Sequence, residues 1–249
     1  ATVRRELGAL EERFVVVGWD QPGAGKSYSA ARHRDLTLDM YVEDAVALIE
    51  LLCARFGKEK VYLAGESWGS FLGIHVAKRL PGRIAAFFGT GQMVAFAEND
   101  RACYDLMLAW YRKNGDEAKV KKLERQGPPP YYGRGVSGKL SAFLLGTFKY
   151  LREEKGVRGN GDTLADIFAQ EYGPFERVRW VTGILRTLDE FYPKLWDRDL
   201  RKEVPRLEVP AYFLIGRLDI NASVPLLEDY VARLEAPAKE VFWFERSGH

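Results

Sequence analysis

The chain has 249 residues, 47% of them hydrophobic and 29% charged. That is enough to bury a sizeable core, in one large domain or a domain with an insertion, and too apolar for a disordered chain. The 37 Lys and Arg nearly balance the 35 Asp and Glu, a net charge of +2 that excludes a chain built to coat nucleic acid.

The start, Ala1-Thr2-Val3-Arg4-Arg5-Glu6, is amphipathic and lacks an apolar core segment, so no signal peptide is expected. No run of about 18 uncharged apolar residues occurs, so no membrane span or membrane partner is expected either. Phe14-Val15-Val16-Val17-Gly18-Trp19 is rich in β-branched residues and ends in the turn-forming Asp20–Gly25, which predicts a strand and a tight loop. From Leu38 to Cys53 apolar residues recur at helical spacing, with Thr37 as N-cap and Gly57 as stop. Cys53 and Cys103 have no metal-type spacing, so two free buried thiols in a reducing compartment, the cytoplasm, are expected. Lys60–Ala64 predicts a second strand, a helix follows to about Leu80, and Ile84–Phe88 predicts a third strand. The alternation resumes with a strand at Ala211–Gly216, a helix over Val224–Leu234 and a strand at Glu240–Phe244.

Such alternation predicts an α/β fold, a mainly parallel sheet with helices on both faces. Residues 1–94 and 208–249 would form its core. Between them, residues 95–207 carry no strand signal. Asp100–Lys113, Gly138–Glu154 and Phe175–Phe191 have a helical pattern, broken at Gly127–Pro130 and Lys155–Gly161. An inserted helical cap is the expectation.

Two motifs invite chemistry. Gly23-Ala24-Gly25-Lys26-Ser27 looks like a phosphate loop, but Asp20 stands where that motif needs its first glycine, and a carboxylate there would repel phosphate. Gly65-Glu66-Ser67-Trp68-Gly69 fits G-x-S-x-G. With 24 glycines in 249 residues, chance supplies about 0.07 such matches. The motif also sits between a β-rich run and a helix, as a nucleophile elbow requires.

Ser67 needs a base, and the chain has three histidines. His75 lies two turns into the helix after Ser67, and His33 in the loop after the first predicted strand. Both are expected to be surface or helix-face polarity. His249 follows the last strand, at the sheet edge where α/β proteins bind ligands. Asp219, just past the penultimate strand, is the candidate orienting acid; Asp197, Asp199 and Glu208 precede that strand. Ser67, Asp219 and His249 then follow the Ser…Asp…His order of α/β-hydrolases.

With these residues in place, the chain resembles the α/β-hydrolase superfamily and, within it, the proline iminopeptidase group of serine aminopeptidases. Gly18-Trp19-Asp20-Gln21-Pro22-Gly23-Ala24-Gly25-Lys26-Ser27 is similar to that group's Asp-Gln-Arg-Gly-x-Gly-x-Ser segment, with Pro22 in place of arginine. Gly65–Ser70 is similar to its Gly-x-Ser-Trp-Gly elbow. The resemblance implies a serine hydrolase acting on a small peptide or ester without cofactor or metal, with the Trp68 N–H as one oxyanion donor. It also implies carboxylates that hold the substrate's amino group, for which Glu66, Glu98 and Asp100 are candidates. The group's His-Gly-Gly-Pro-Gly oxyanion loop, the inner strand before it and the C-terminal helix have no counterpart here. A fragment of a longer enzyme, or omitted segments, is therefore expected. An esterase or lactonase, and a non-catalytic binding protein of this fold, stay open as alternatives.

Overall fold

A computed structural model describes residues 8–157, 167–168 and 170–249. The reading of Ala1–Glu6 and the end of the Lys155–Gly161 break lie outside the described residues.

Four strands form one parallel sheet in the order β1-β2-β3-β4: β1 (Val61–Glu66), β2 (Ile84–Thr90), β3 (Ala211–Gly216) and β4 (Lys239–Phe244). Helix α1 (Gly8–Glu11) is a single turn. Helix α2 (Leu38–Phe56) begins where Thr37 accepts a hydrogen bond from the Met40 N–H at 3.2 Å and ends at Gly57, whose φ of 60° suits a residue without Cβ. Helix α3 (Trp68–Arg79) leaves the end of β1 and packs on β1 and β2. Phe87, Phe213 and Ile215 point to this covered side and are fully buried.

The alternate residues form the other face, as the period of two in a strand dictates. Tyr62, Phe88, Tyr212 and Phe242 make a row of ring contacts across all four strands, at 6.2, 5.4 and 6.4 Å between centroids. Tyr62 stays 61% and Phe242 44% exposed.

The segment predicted as the first strand, Phe14–Trp19, is not one. Its pattern suits a strand, but a strand exists only through a hydrogen-bonded neighbour. In this sheet β1 is an edge, and Phe14 reaches it through a ring contact with Tyr62 at 5.7 Å rather than through the backbone.

Between β2 and β3 the described residues form helices α4 (Phe96–Lys113), α5 (Glu117–Gln126), α6 (Val136–Lys155), α7 (Pro174–Glu190) and α8 (Leu200–Glu203). Three lie where periodicity predicts them. The sequence reading missed α5, whose polar composition hides that only Val120 and Leu123 are buried, and the single turn α8. Helix α9 (Val224–Arg233) joins β3 to β4. Cys53 and Cys103 are free and buried. No helix among the described residues is long and apolar enough to cross a membrane.

Candidate active site

The C-terminal ends of β1, β2, β3 and β4 carry the residues that matter. Ser67 sits between β1 and α3 with φ 52° and ψ −119°, the one positive-φ residue other than glycine among the described residues. Its N–H donates to the Thr90 carbonyl at 3.0 Å, and its side chain makes no capping bond to the helix it starts. The turn is so tight that a Cβ on Gly65 would collide with the Gly69 carbonyl, which is why glycine precedes the serine by two. Behind it, the Ser70 hydroxyl donates to the Ser67 carbonyl at 2.6 Å and accepts from the Met93 N–H at 3.1 Å, tying the elbow to the loop after β2.

Trp68 opens α3, so its N–H is one of the helix donors without an acceptor inside the helix. Its indole N–H donates to Gln21 Oε1 at 2.9 Å, and its ring packs edge-on to Phe191 at 5.1 Å and Tyr41 at 5.7 Å.

Asp219 and His249 meet directly, with Nδ1 and Oδ2 2.9 Å apart. The other carboxylate oxygen accepts from the Asn221 and Ala222 N–H groups, both at 2.9 Å. The two loops are also joined through the backbone. The Leu218 N–H donates to the Ser247 carbonyl at 3.0 Å, and Gly216 leaves no room for a side chain beside Ser247 and Gly248. A Cβ on Gly91, just past β2, would lie 2.6 Å from His249 Cε1. Since Thr90 binds the Ser67 N–H, the imidazole and the elbow flank the same strand end. Burial disfavours the charged imidazole, but the hydrogen bond and charge of Asp219, helped by the charge of Glu66, outweigh it. The His249 pKa is raised above its ordinary 6.5.

The other candidates are placed elsewhere. Glu98 is exposed and pairs with Arg201, which also holds Asp199 and Asp229. Asp100 is buried, accepts from the Tyr192 hydroxyl at 3.0 Å and the Asn99 amide at 3.2 Å, and is pushed up to about 7 by burial, against these two hydrogen bonds. His33 is buried, not surface polarity: only 4% of it is exposed, because its ring packs on Tyr28 at 5.1 Å between centroids and against Gly23, whose carbonyl pairs with Nε2 at 2.9 Å. His75 faces Glu203 at 3.4 Å, away from the elbow. In the glycine loop Asp20 takes the place an anion would occupy, accepting from the Lys26 N–H at 2.9 Å and the Tyr172 hydroxyl at 2.6 Å. No cluster of three His, Cys, Asp or Glu that could hold a metal occurs among the described residues.

Comparison with known proteins bears on the fold. Residues 9–129 match the serine aminopeptidase family S33. A probable aminopeptidase, YbaC of Bacillus subtilis (strain 168), is 28% identical over 256 residues, spanning 99% of this chain and 78% of its own. The crystal structure of VinJ superposes with a TM-score of 0.66 at 17% identity, covering all of this chain and 78% of its own. Proline iminopeptidase of Mycobacterium smegmatis gives 0.64 at 18%, covering 97% of this chain and 77% of its own. The chain therefore has the α/β-hydrolase fold, and its residues 9–129 are similar to the serine aminopeptidase family.

Proposed function

We propose that the protein is a serine hydrolase that removes an N-terminal proline or another apolar residue from short peptides. The observation that carries this is the Asp219–His249 hydrogen bond at the strand end that also anchors the strained Ser67. With Nδ1 engaged by Asp219, Nε2 is the imidazole nitrogen left to accept a proton. Ser67 Oγ attacks the substrate carbonyl carbon while its proton passes to His249 Nε2, and Asp219 stabilises the imidazolium. The Trp68 N–H donates to the oxyanion. Collapse expels the amine, which takes the proton from His249, and leaves an acyl-serine. Water, deprotonated by the same imidazole, then releases the acid and regenerates Ser67.

In this reading residues 95–207 form the cap over the site. Leu151 of α6 supports it, since a Cβ on Gly248 would lie 2.9 Å from Leu151 Cδ1, one residue from the base. Glu66, whose charge is felt at His249, is assigned to the substrate's ammonium group. The engagement of Glu98 with Arg201 favours a second reading, an esterase or lactonase that needs no amine partner.

Intact mass before and after a fluorophosphonate probe, followed by two substrates, tests these. A single adduct on Ser67, with cleavage of proline p-nitroanilide but not of its N-acetyl form, is the expected result. Hydrolysis of the acetylated substrate or of p-nitrophenyl esters alone would favour the second reading. An unmodified Ser67 would remove the catalytic one.

A further inference from the structure

Helix α4 begins three residues after Met93, whose N–H ties the loop after β2 to the elbow, yet one face of its first two turns is spent on the turn that carries Asp219. Asn99 is 2% exposed. Its Nδ2 donates to the Asn221 carbonyl at 2.8 Å, and its Oδ1 accepts from the Ser223 N–H at 2.8 Å. A backbone N–H only donates and a carbonyl only accepts, so these two partners fix which way the amide points. One helical turn on, at the i+4 position on the same face, the Cys103 thiol donates to the Ile220 carbonyl at 2.7 Å. Burial, with the charges of Asp100 and Asp219, raises the Cys103 pKa, so the thiol keeps the proton it donates.

The three contacts fall on residues 220, 221 and 223. The Asn221 and Ala222 N–H groups are the ones that hold Asp219 Oδ1, leaving Oδ2 for His249. The same short turn is therefore gripped from inside by the carboxylate of Asp219 and from outside by α4.

We infer that Asn99, assisted by Cys103, is a positioning residue for the acid: the helix that opens the segment between β2 and β3 sets the direction in which Asp219 presents Oδ2 to His249. This rests on Asp219 being the triad acid. The Asn99 side chain bonds Asp100, Asn221 and Ser223, not Ser67 or His249. It acts through the backbone of residues 221 and 223. Asp cannot replace it, because a carboxylate has no donor for the Asn221 carbonyl and would stand beside the buried Asp100.

The test is a double-mutant cycle on the whole protein with p-nitrophenyl acetate as probe. Asn99→Ala is expected to lower kcat about 10–100-fold, the scale of a small misplacement of a catalytic group, with KM unchanged. In an Asp219→Ala background the same substitution is expected to cost almost nothing, because no acid remains to be aimed. The downfield proton signal of the His249 Nδ1–H, read by NMR without any substrate, should broaden or vanish in Asn99→Ala. Wild-type kcat in Asn99→Ala, or the same fold-loss in both backgrounds, would overturn the inference and leave a purely structural residue. Wild-type kcat in Asp219→Ala alone would instead overturn the triad assignment, so the two failures are distinct. Should Asn99→Ala not fold, judged by near-ultraviolet circular dichroism, the Cys103 pair carries the test. Cys103→Ser keeps a donor for the Ile220 carbonyl and should retain more of kcat than Cys103→Ala. Equal kcat in that pair would count against the inference.

Discussion

His249 and His75 each face a carboxylate, Asp219 at 2.9 Å and Glu203 at 3.4 Å. Their pKa values nonetheless move in opposite directions. His249 is raised, whereas burial, with the charges of Arg198 and Lys78, lowers His75 to about 4. The difference lies in the hydrogen bond that His249 has and His75 lacks, and in the cations beside His75. Asp219 accepts only two backbone N–H groups on one oxygen, and its charge remains for the imidazole. Glu203 is spent on Arg198 at 3.3 Å and on the Asp199 N–H at 2.9 Å, and His75 Nε2 has no hydrogen bond of its own. A nearby carboxylate does not make a base. A carboxylate hydrogen-bonded to the ring is what raises His249, the base proposed here.

Exchanging the two histidines for glutamine is the bluntest way to break this comparison. His249→Gln should cost about 10⁶ in kcat, as loss of a triad base does elsewhere, while His75→Gln should leave kcat and KM within about twofold. Asp219→Asn should follow with a loss of about 10⁴, because an amide presents the wrong group to Nδ1 and the imidazole takes the wrong tautomer. Both are read by steady-state hydrolysis of p-nitrophenyl acetate.

The pH dependence sharpens the contrast. A base must be neutral to accept a proton, so kcat/KM should fall as pH drops through the raised pKa of His249, at a pH above the ordinary 6.5, and His75→Gln should leave that limb in place. Stability should show the other histidine. The unfolded chain binds a proton at His75 near pH 6.5, and the folded chain only near 4. Its contribution is therefore fully present above about 6.5 and is lost as pH falls towards 4, by about 3 kcal/mol at most. Urea unfolding at pH 7 and pH 4.5 should show this loss shrinking in His75→Gln.

The legibility of each feature followed from the range of the interactions behind it. The elbow could be read because its glycines and serine answer to a turn five residues long. The four strands could be read from runs of β-branched and aromatic residues, and the Ser…Asp…His order from positions just past three of them. Phe14–Trp19 misled, because its pattern is that of a strand but its pairing depends on a neighbour the pattern does not contain. His33 misled for a related reason: the partner that satisfies its buried ring is the Gly23 carbonyl, ten residues back across a loop. Asn99 gave no signal at all. It is one polar residue on an amphipathic helix, and the partners that explain it lie 122 and 124 residues away.

Ser67 is held at a backbone conformation that a residue with a Cβ adopts only under strain. The fold would be better served by the residue its chemistry cannot use. Ser67→Gly should raise the unfolding free energy by about 1 kcal/mol, and the melting temperature by about 2–4 °C, while removing the hydroxyl proposed as nucleophile. Thermal unfolding of Ser67→Gly beside Ser67→Ala would measure the strain directly, since both lack the hydroxyl and only one lacks the Cβ. Random substitution screened for thermal stability alone would therefore be drawn to this position, and under the proposed mechanism the variants it returned there would be inert.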